Sequence, residues 1–218
     1  MKVLVVGATG KTGRWVTTQL GASADMAVRA LVRDRAKADF AAGVEVVEGD
    51  VLKPDTLRAA IADCEAVICA TGAAPSFDFT GPYQVDFVGT RNLVDVAKEA
   101  GVGRFVIVSS LCVSKFFHPL NLFWLVLYWK KQAEAYIVNS GLTYTIVRPG
   151  GLRSEDSGEA IVMASADTLF EGGIAREKVA QVCIAALREP GAENKIVEIV
   201  TGPEAQEQSF GDLFAGVA

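Results

Sequence analysis

Three glycines spaced three apart, Gly7, Gly10 and Gly13, follow the apolar run Val3-Leu4-Val5-Val6 and precede a helical pattern. That order is the sequence form of a buried strand, a tight turn and a helix start, and its chemistry is anion binding. One glycine allows the sharp turn, one lets the backbone approach a pyrophosphate, and one lets the helix pack close to the strand. The helix start adds free N–H groups and a partial positive charge. Gly7, Thr9, Gly10, Lys11, Thr12 and Gly13 are therefore candidates to hold a dinucleotide's phosphates.

This reading makes a demand about 20 residues further on, where a carboxylate would meet a ribose 2′-hydroxyl or a cation would meet a 2′-phosphate. The second strand runs out at Leu31-Val32-Arg33-Asp34-Arg35. Arg33 is the first polar residue past it, and a guanidinium presents a planar fork of donors suited to phosphate. NADP is thus expected, while Asp34, one residue on, keeps NAD open. Asp50, after the third strand, is placed to accept from an adenine amino group or to cap the helix that opens near Pro54, and Val51 to cover the ring. Ala70-Thr71-Gly72 ends the fourth strand with side chains small enough for a dinucleotide to cross.

The elements that position these residues alternate. Strands are expected at 3–6, 26–32, 44–47, 66–69, 104–108 and 142–147. Helices are expected at 12–20, 35–42, 54–61, 83–100 and 132–139. A glycine- and proline-rich loop covers 72–82. The continuous Val, Ile and Leu runs fit strands buried on both faces. Six such strands with intervening helices predict a three-layer α/β protein of Rossmann type, with a doubly wound, mostly parallel sheet. The expected organisation is a single NAD(P)-binding unit over 1–218. Residues 1–151 form its dinucleotide-binding core, and 152–218 a short α/β extension with strands near 160–164 and 195–200 and helices near 177–188 and 210–214.

Composition narrows the function. Half of the 218 residues are hydrophobic, enough for a buried core, and a net charge of −5 without a basic run speaks against nucleic acid. The single histidine, His118, makes a zinc site an unattractive reading. Cys64, Cys69, Cys112 and Cys183 lack C-x-x-C spacing and read as reduced and buried. With a core strand at the N-terminus and no signal peptide ahead of it, that points to the cytoplasm, or to a plastid stroma if a transit peptide has been removed.

The glycine turn, Asp50-Val51, Val108-Ser109-Ser110 and Tyr144-Thr145-Ile146-Val147-Arg148-Pro149-Gly150 together resemble an atypical short-chain dehydrogenase/reductase. Within that family the chain is most similar to the NmrA-like, NAD(P)H-binding group of cyanobacteria and plastids. The resemblance implies a Tyr-x-x-x-Lys pair and a serine, in which the tyrosine moves a proton, the lysine lowers its pKa and holds the nicotinamide ribose, and the serine orients the carbonyl. Ser110 matches the serine. Lys130, followed by Ala133-Glu134, matches the lysine. Pro149 and Gly150 would border the nicotinamide. Val126 stands where the tyrosine is expected. Tyr128 is two residues from Lys130, about 200° round a helix, and if Lys131 were the lysine, Leu127 would take the tyrosine position.

The stretch 116–129 is the most aromatic in the chain. Three readings apply to it: a buried helix, an apolar substrate wall, or a docking surface for a protein partner or a membrane. A mixture is expected, part core and part apolar site or contact surface. Two functions follow. One is an NADP-dependent reductase of a small apolar carbonyl or conjugated substrate. The other is a non-catalytic NADP(H)-sensing regulator or assembly factor.

Overall fold

The computed structural model describes residues 1–73 and 78–218. The elements run β1 (Lys2–Val6), α1 (Lys11–Gly21), β2 (Ala27–Val32), β3 (Glu45–Glu48), α2 (Pro54–Ile61), β4 (Ala66–Cys69), α3 (Thr90–Glu99), β5 (Arg104–Val108), α4 (Val126–Val138), β6 (Tyr144–Pro149), β7 (Gly151–Arg153), β8 (Ala160–Ser165), β9 (Gly173–Ala175), α5 (Arg176–Ala186), β10 (Lys195–Gly202) and α6 (Phe210–Ala215). Eight strands form one sheet in the order β3-β2-β1-β4-β5-β6-β10-β8. All neighbours are parallel except β8, which runs antiparallel to β10. This is a Rossmann-like α/β fold.

Alternation along the strands makes the layers. In β1, Val3 and Val5 point to one face, where Val16 and Leu20 of α1 and Val179 and Cys183 of α5 meet them. Leu4 and Val6 point to the other, packed with Leu57 of α2, Leu93 and Val96 of α3 and Ile137 of α4. Successive connections leave β1 in opposite directions, so a crevice opens where β1 and β4 end side by side.

Several elements differ from the pattern in the sequence. The helix expected at 35–42 is one 3-10 turn, Arg35–Lys37. Arg14 accounts for this, donating to the carbonyls of Lys37 and Asp39 that a continuing helix would use. The helix expected from 83 opens as a π-helical turn, Pro82–Gly89, before α3. The loop expected at 72–82 includes residues 74–77, which lie outside the described residues. Strand β6 starts and ends two residues later than the pattern placed it. Helix α4 begins six residues earlier than expected, at Val126. Its cap is remote: the Asn121 side chain accepts from the backbone N–H groups of Leu127 and Tyr128. Trp124 and Leu125, just before α4, have φ of 56° and 59°. A non-glycine residue held there costs about 1–3 kcal/mol. The pairing of β7 with β9 in a separate two-stranded sheet was not expected.

All four cysteines are free and buried. Burial pushes each thiol upward, Cys183 to about 12. The native protein should therefore react slowly with a thiol reagent at pH 8 at every site, and all four should react at once in denaturant. A fast-reacting thiol in the native protein would show that one of these positions opens readily.

Candidate functional site

The glycines of the opening turn are required by their neighbours. Gly7 has φ of +82°, and a Cβ there would lie 2.8 Å from the backbone of Ala70 in the turn after β4. A Cβ on Gly13 would lie 2.1 Å from the Gly7 carbonyl oxygen, so the third glycine brings α1 against the turn. Gly10 is tighter than usual only against the Gly7 oxygen, at 3.1 Å. No side chain caps the start of α1 at Gly10, which leaves its first N–H groups available to an anion. Gly7, Thr9 and Gly10 line a cleft of about 500 Å³ together with Ala70, Thr71 and Gly72. Thr12 and Gly13 are buried beneath the turn. Lys11 lines a separate groove of about 480 Å³ with Arg14, Trp15 and Arg176.

Arg33, Asp50 and Val51 line the far end of the first cleft. Arg33 is exposed, and among the described residues no hydrogen bond or ion pair holds it. Its neighbours are occupied. Asp34 accepts from the Ala36 N–H at 3.0 Å, and Arg35 donates to the Val46 carbonyl at 2.7 Å. Asp50 does not cap α2, whose N-cap is Lys53 without a side-chain bond. Its carboxylate accepts from the Leu52 N–H at 2.9 Å and shapes the turn. Val51 is fixed from behind, because Asn92 donates to its carbonyl and Gly89 leaves room for its side chain. An uncapped helix start, an unpaired guanidinium and a carboxylate along one cleft fit a dinucleotide in donor set and charge.

In a small pocket that shares Thr71 with the cleft, Lys130 reaches Asp86, Nζ to Oδ1 at 2.8 Å. Asp86 lies on the π-helical turn and is buried. Burial disfavours the ammonium, but the Asp86 carboxylate outweighs it and raises Lys130 above the ordinary lysine range. The stability that Lys130 gains from its partner is thus present at neutral pH and lost in alkali, as pH rises through that raised value. Thr71, Ser109 and Glu134 line the same small pocket. Ser109 donates to Glu134 at 2.5 Å. Ser110 is half-buried and does not line that pocket. Val126 packs with Leu111, Cys112 and Leu127, so an apolar cluster occupies the place of the expected hydroxyl. Tyr128 makes edge contacts with Phe116 and Trp129.

Behind the pocket Arg148 is enclosed by carboxylates. Its guanidinium lies 2.7 Å from Glu134, 3.2 Å from Glu198 and 2.9 Å from Asp167. Glu198 also accepts from the backbone N–H groups of Asp167, Thr168 and Leu169. Pro149 ends β6, buried. Gly150 has a packing reason of its own: a Cβ there would lie 2.6 Å from the Gly172 carbonyl. Sequence reasoning did not single out Asp86, Ser109, Arg148 or Glu198 as a connected set. A signal existed for two of them, because Arg148 and Glu198 interrupt otherwise apolar strand runs, where a charge needs a partner.

A glycine turn at the point where strand order reverses, facing a cleft with Arg33 along it, defines a Rossmann-type dinucleotide-binding protein. The chain belongs to the NAD(P)H-binding family, whose profile matches residues 7–190. It is 46% identical to an uncharacterised chloroplastic protein of Arabidopsis thaliana, over 99% of this chain and 82% of that one. It is 39% identical to the chloroplastic protein TIC 62 of Pisum sativum over 91% of this chain, which spans only 42% of that relative. It is 32% identical to sanguinarine reductase of Eschscholzia californica, over 99% of this chain and 94% of that enzyme. Among solved structures, a Bacillus halodurans protein named for the NAD-dependent epimerases/dehydratases superposes with a TM-score of 0.83 at 27% identity, covering 99% of both chains. The family therefore uses a nicotinamide cofactor and includes a reductase.

Proposed function

We propose that the protein is an NADP(H)-dependent reductase of a small apolar carbonyl or conjugated substrate. The observation that carries this reading is the buried ion pair of Lys130 with Asp86 in the small pocket that adjoins the dinucleotide cleft at Thr71. It keeps an ammonium charged where a substrate oxygen would gain electron density. Lys130 is the candidate to hold that oxygen and has a proton to give, while Ser110, outside the Lys130 pocket, is the candidate to orient the carbonyl. The bound dinucleotide would supply hydride. Gly7, Thr9, Gly10 and the start of α1 would hold its pyrophosphate, and Ala70, Thr71 and Gly72 would flank it. Asp50 and Val51 would meet the adenine, and Lys130, with Pro149 and Gly150, would border the nicotinamide end.

NADP is favoured over NAD by Arg33, because Asp34 and Arg35 are both engaged elsewhere. The reductase relative supports chemistry of this class, and the chloroplastic relatives support a stromal setting. A second reading, an NADP(H) sensor without turnover, is favoured by one observation, the apolar packing of Val126.

Titration with both cofactors, together with NADPH oxidation in the presence of small quinones and conjugated carbonyls, separates these readings. Wild type should bind NADPH more tightly than NADH and oxidise it with at least one acceptor. Arg33→Ala should weaken NADPH about 10- to 100-fold and NADH about twofold or less, as a lost charge-assisted contact predicts. Equal weakening of both would count against NADP. Tight NADPH binding without turnover of any acceptor would favour the sensor.

A further inference from the structure

We infer that residues 116–125 form a wedge that seats at the boundary between headgroups and acyl chains of an anionic bilayer. The loop shows its apolar side chains to water. Phe117 is 96% exposed, Leu122 82% and Phe123 62%, with Phe116 and Leu120 also exposed. Contiguous apolar surface of this kind marks a contact site.

The loop is built rather than loose. His118 Nδ1 accepts from the Leu120 N–H and starts the 3-10 turn Pro119–Leu122. Buried Asn121 closes the base, donating to the Phe116 carbonyl at 2.8 Å while it caps α4. Trp124 and Leu125 sit in the left-handed region and turn the chain back into α4. The core does not need this arrangement, since the side chains it presents face outward.

Charge selects the occupant. The chain carries a net −5, yet from Ala100 to Ala133 it has no aspartate or glutamate. Lys115 and Lys131 are exposed there, at the two ends of the aromatic stretch. Aromatic and leucine side chains on an exposed loop, edged by lysines and carrying no carboxylate within the loop itself, match an anionic membrane surface. Among the described residues no helix is long and apolar enough to cross a membrane, so the contact would be with one leaflet. Phe79 packs edge-on against Trp124, and the neighbouring Asp78 and Gly81 line the dinucleotide cleft. The cleft mouth would then lie beside the lipid, within reach of a substrate dissolved in it. The membrane contact itself does not depend on turnover.

The test is flotation of the full chain with phosphatidylcholine vesicles, with and without phosphatidylglycerol. Wild type should float with the anionic vesicles, and added salt should weaken the binding. Phe117→Glu/Leu122→Glu should reduce partitioning roughly tenfold or more. Its thermal midpoint and NADPH affinity should stay at the wild-type values, which separates this result from any failure of the reductase reading. Wild type left in the lipid-free fraction, or a double variant that floats equally well, would overturn the inference. So would a wild-type dimer that ignores vesicles and dissociates on the double substitution, because the wedge would then be a contact between copies.

Discussion

Arg148→Ala should lower the stability of the folded chain by about 3–5 kcal/mol, read as a large drop in the urea midpoint. The cause is the two carboxylates left behind. Glu134 and Glu198 are buried, and Arg148 is the cation both contact. Removing it strands two negative charges in a medium that solvates them poorly. The strands would feel this unequally. Glu198 keeps three backbone donors from residues 167–169, whereas among the described residues Glu134 keeps the Ser109 hydroxyl alone. A second substitution, Glu134→Leu, should therefore cost less in the Arg148→Ala background than in wild type. Strictly additive losses, or a loss below about 1 kcal/mol for Arg148→Ala, would show that the charges are solvated in some other way.

Substitutions in the glycine turn should separate folding from binding. Gly13→Ala places a methyl group 2.1 Å from the Gly7 carbonyl oxygen, a backbone atom that can yield only if the turn and α1 part. The expected result is a loss of about 1–3 kcal/mol in stability, with NADPH affinity falling roughly 100-fold or more, equivalent to about 2.7 kcal/mol. Gly10→Ala meets only one close atom, at 3.1 Å, in a residue that lines the cleft. It should leave the unfolding midpoint near wild type and still weaken the cofactor, because its methyl group occupies space the phosphates need. Thermal unfolding and a fluorescence titration on both variants give the comparison. If both variants bound NADPH as wild type does, the cofactor would not approach the turn.

The parts of the fold that follow from local pattern were legible in the residues. Val3–Val6 and Ala66–Cys69 read as buried strands because every position is apolar, and Pro54 marked the start of α2. The cleft residues Gly7, Gly10, Arg33 and Thr71 were legible for the same reason, since their position after a strand already implies where they point. What was not legible depends on distant partners. Asn121 caps α4 across an intervening loop, so no N-cap signal stands next to Val126. Arg14 ends the turn after β2 from another helix. The π-helical turn that carries Asp86 to Lys130 has no periodicity separable from an ordinary helix over one turn. Ser109 and Ser110 look alike in the chain, and only the strand's register decides which one faces Glu134.

The position of β10 in the sheet bears on how the protein is made. It lies between β6 and β8, although β8 precedes it in the chain by some thirty residues. Until residues 195–202 leave the ribosome, β6 presents an open row of backbone donors and acceptors, and β8 has no partner. Nascent chains at this stage carry an apolar, template-like border of the kind that recruits other unfinished chains. The insertion of one late strand closes both gaps together, so between the emergence of β8 and that of β10 two strand edges stand open at once.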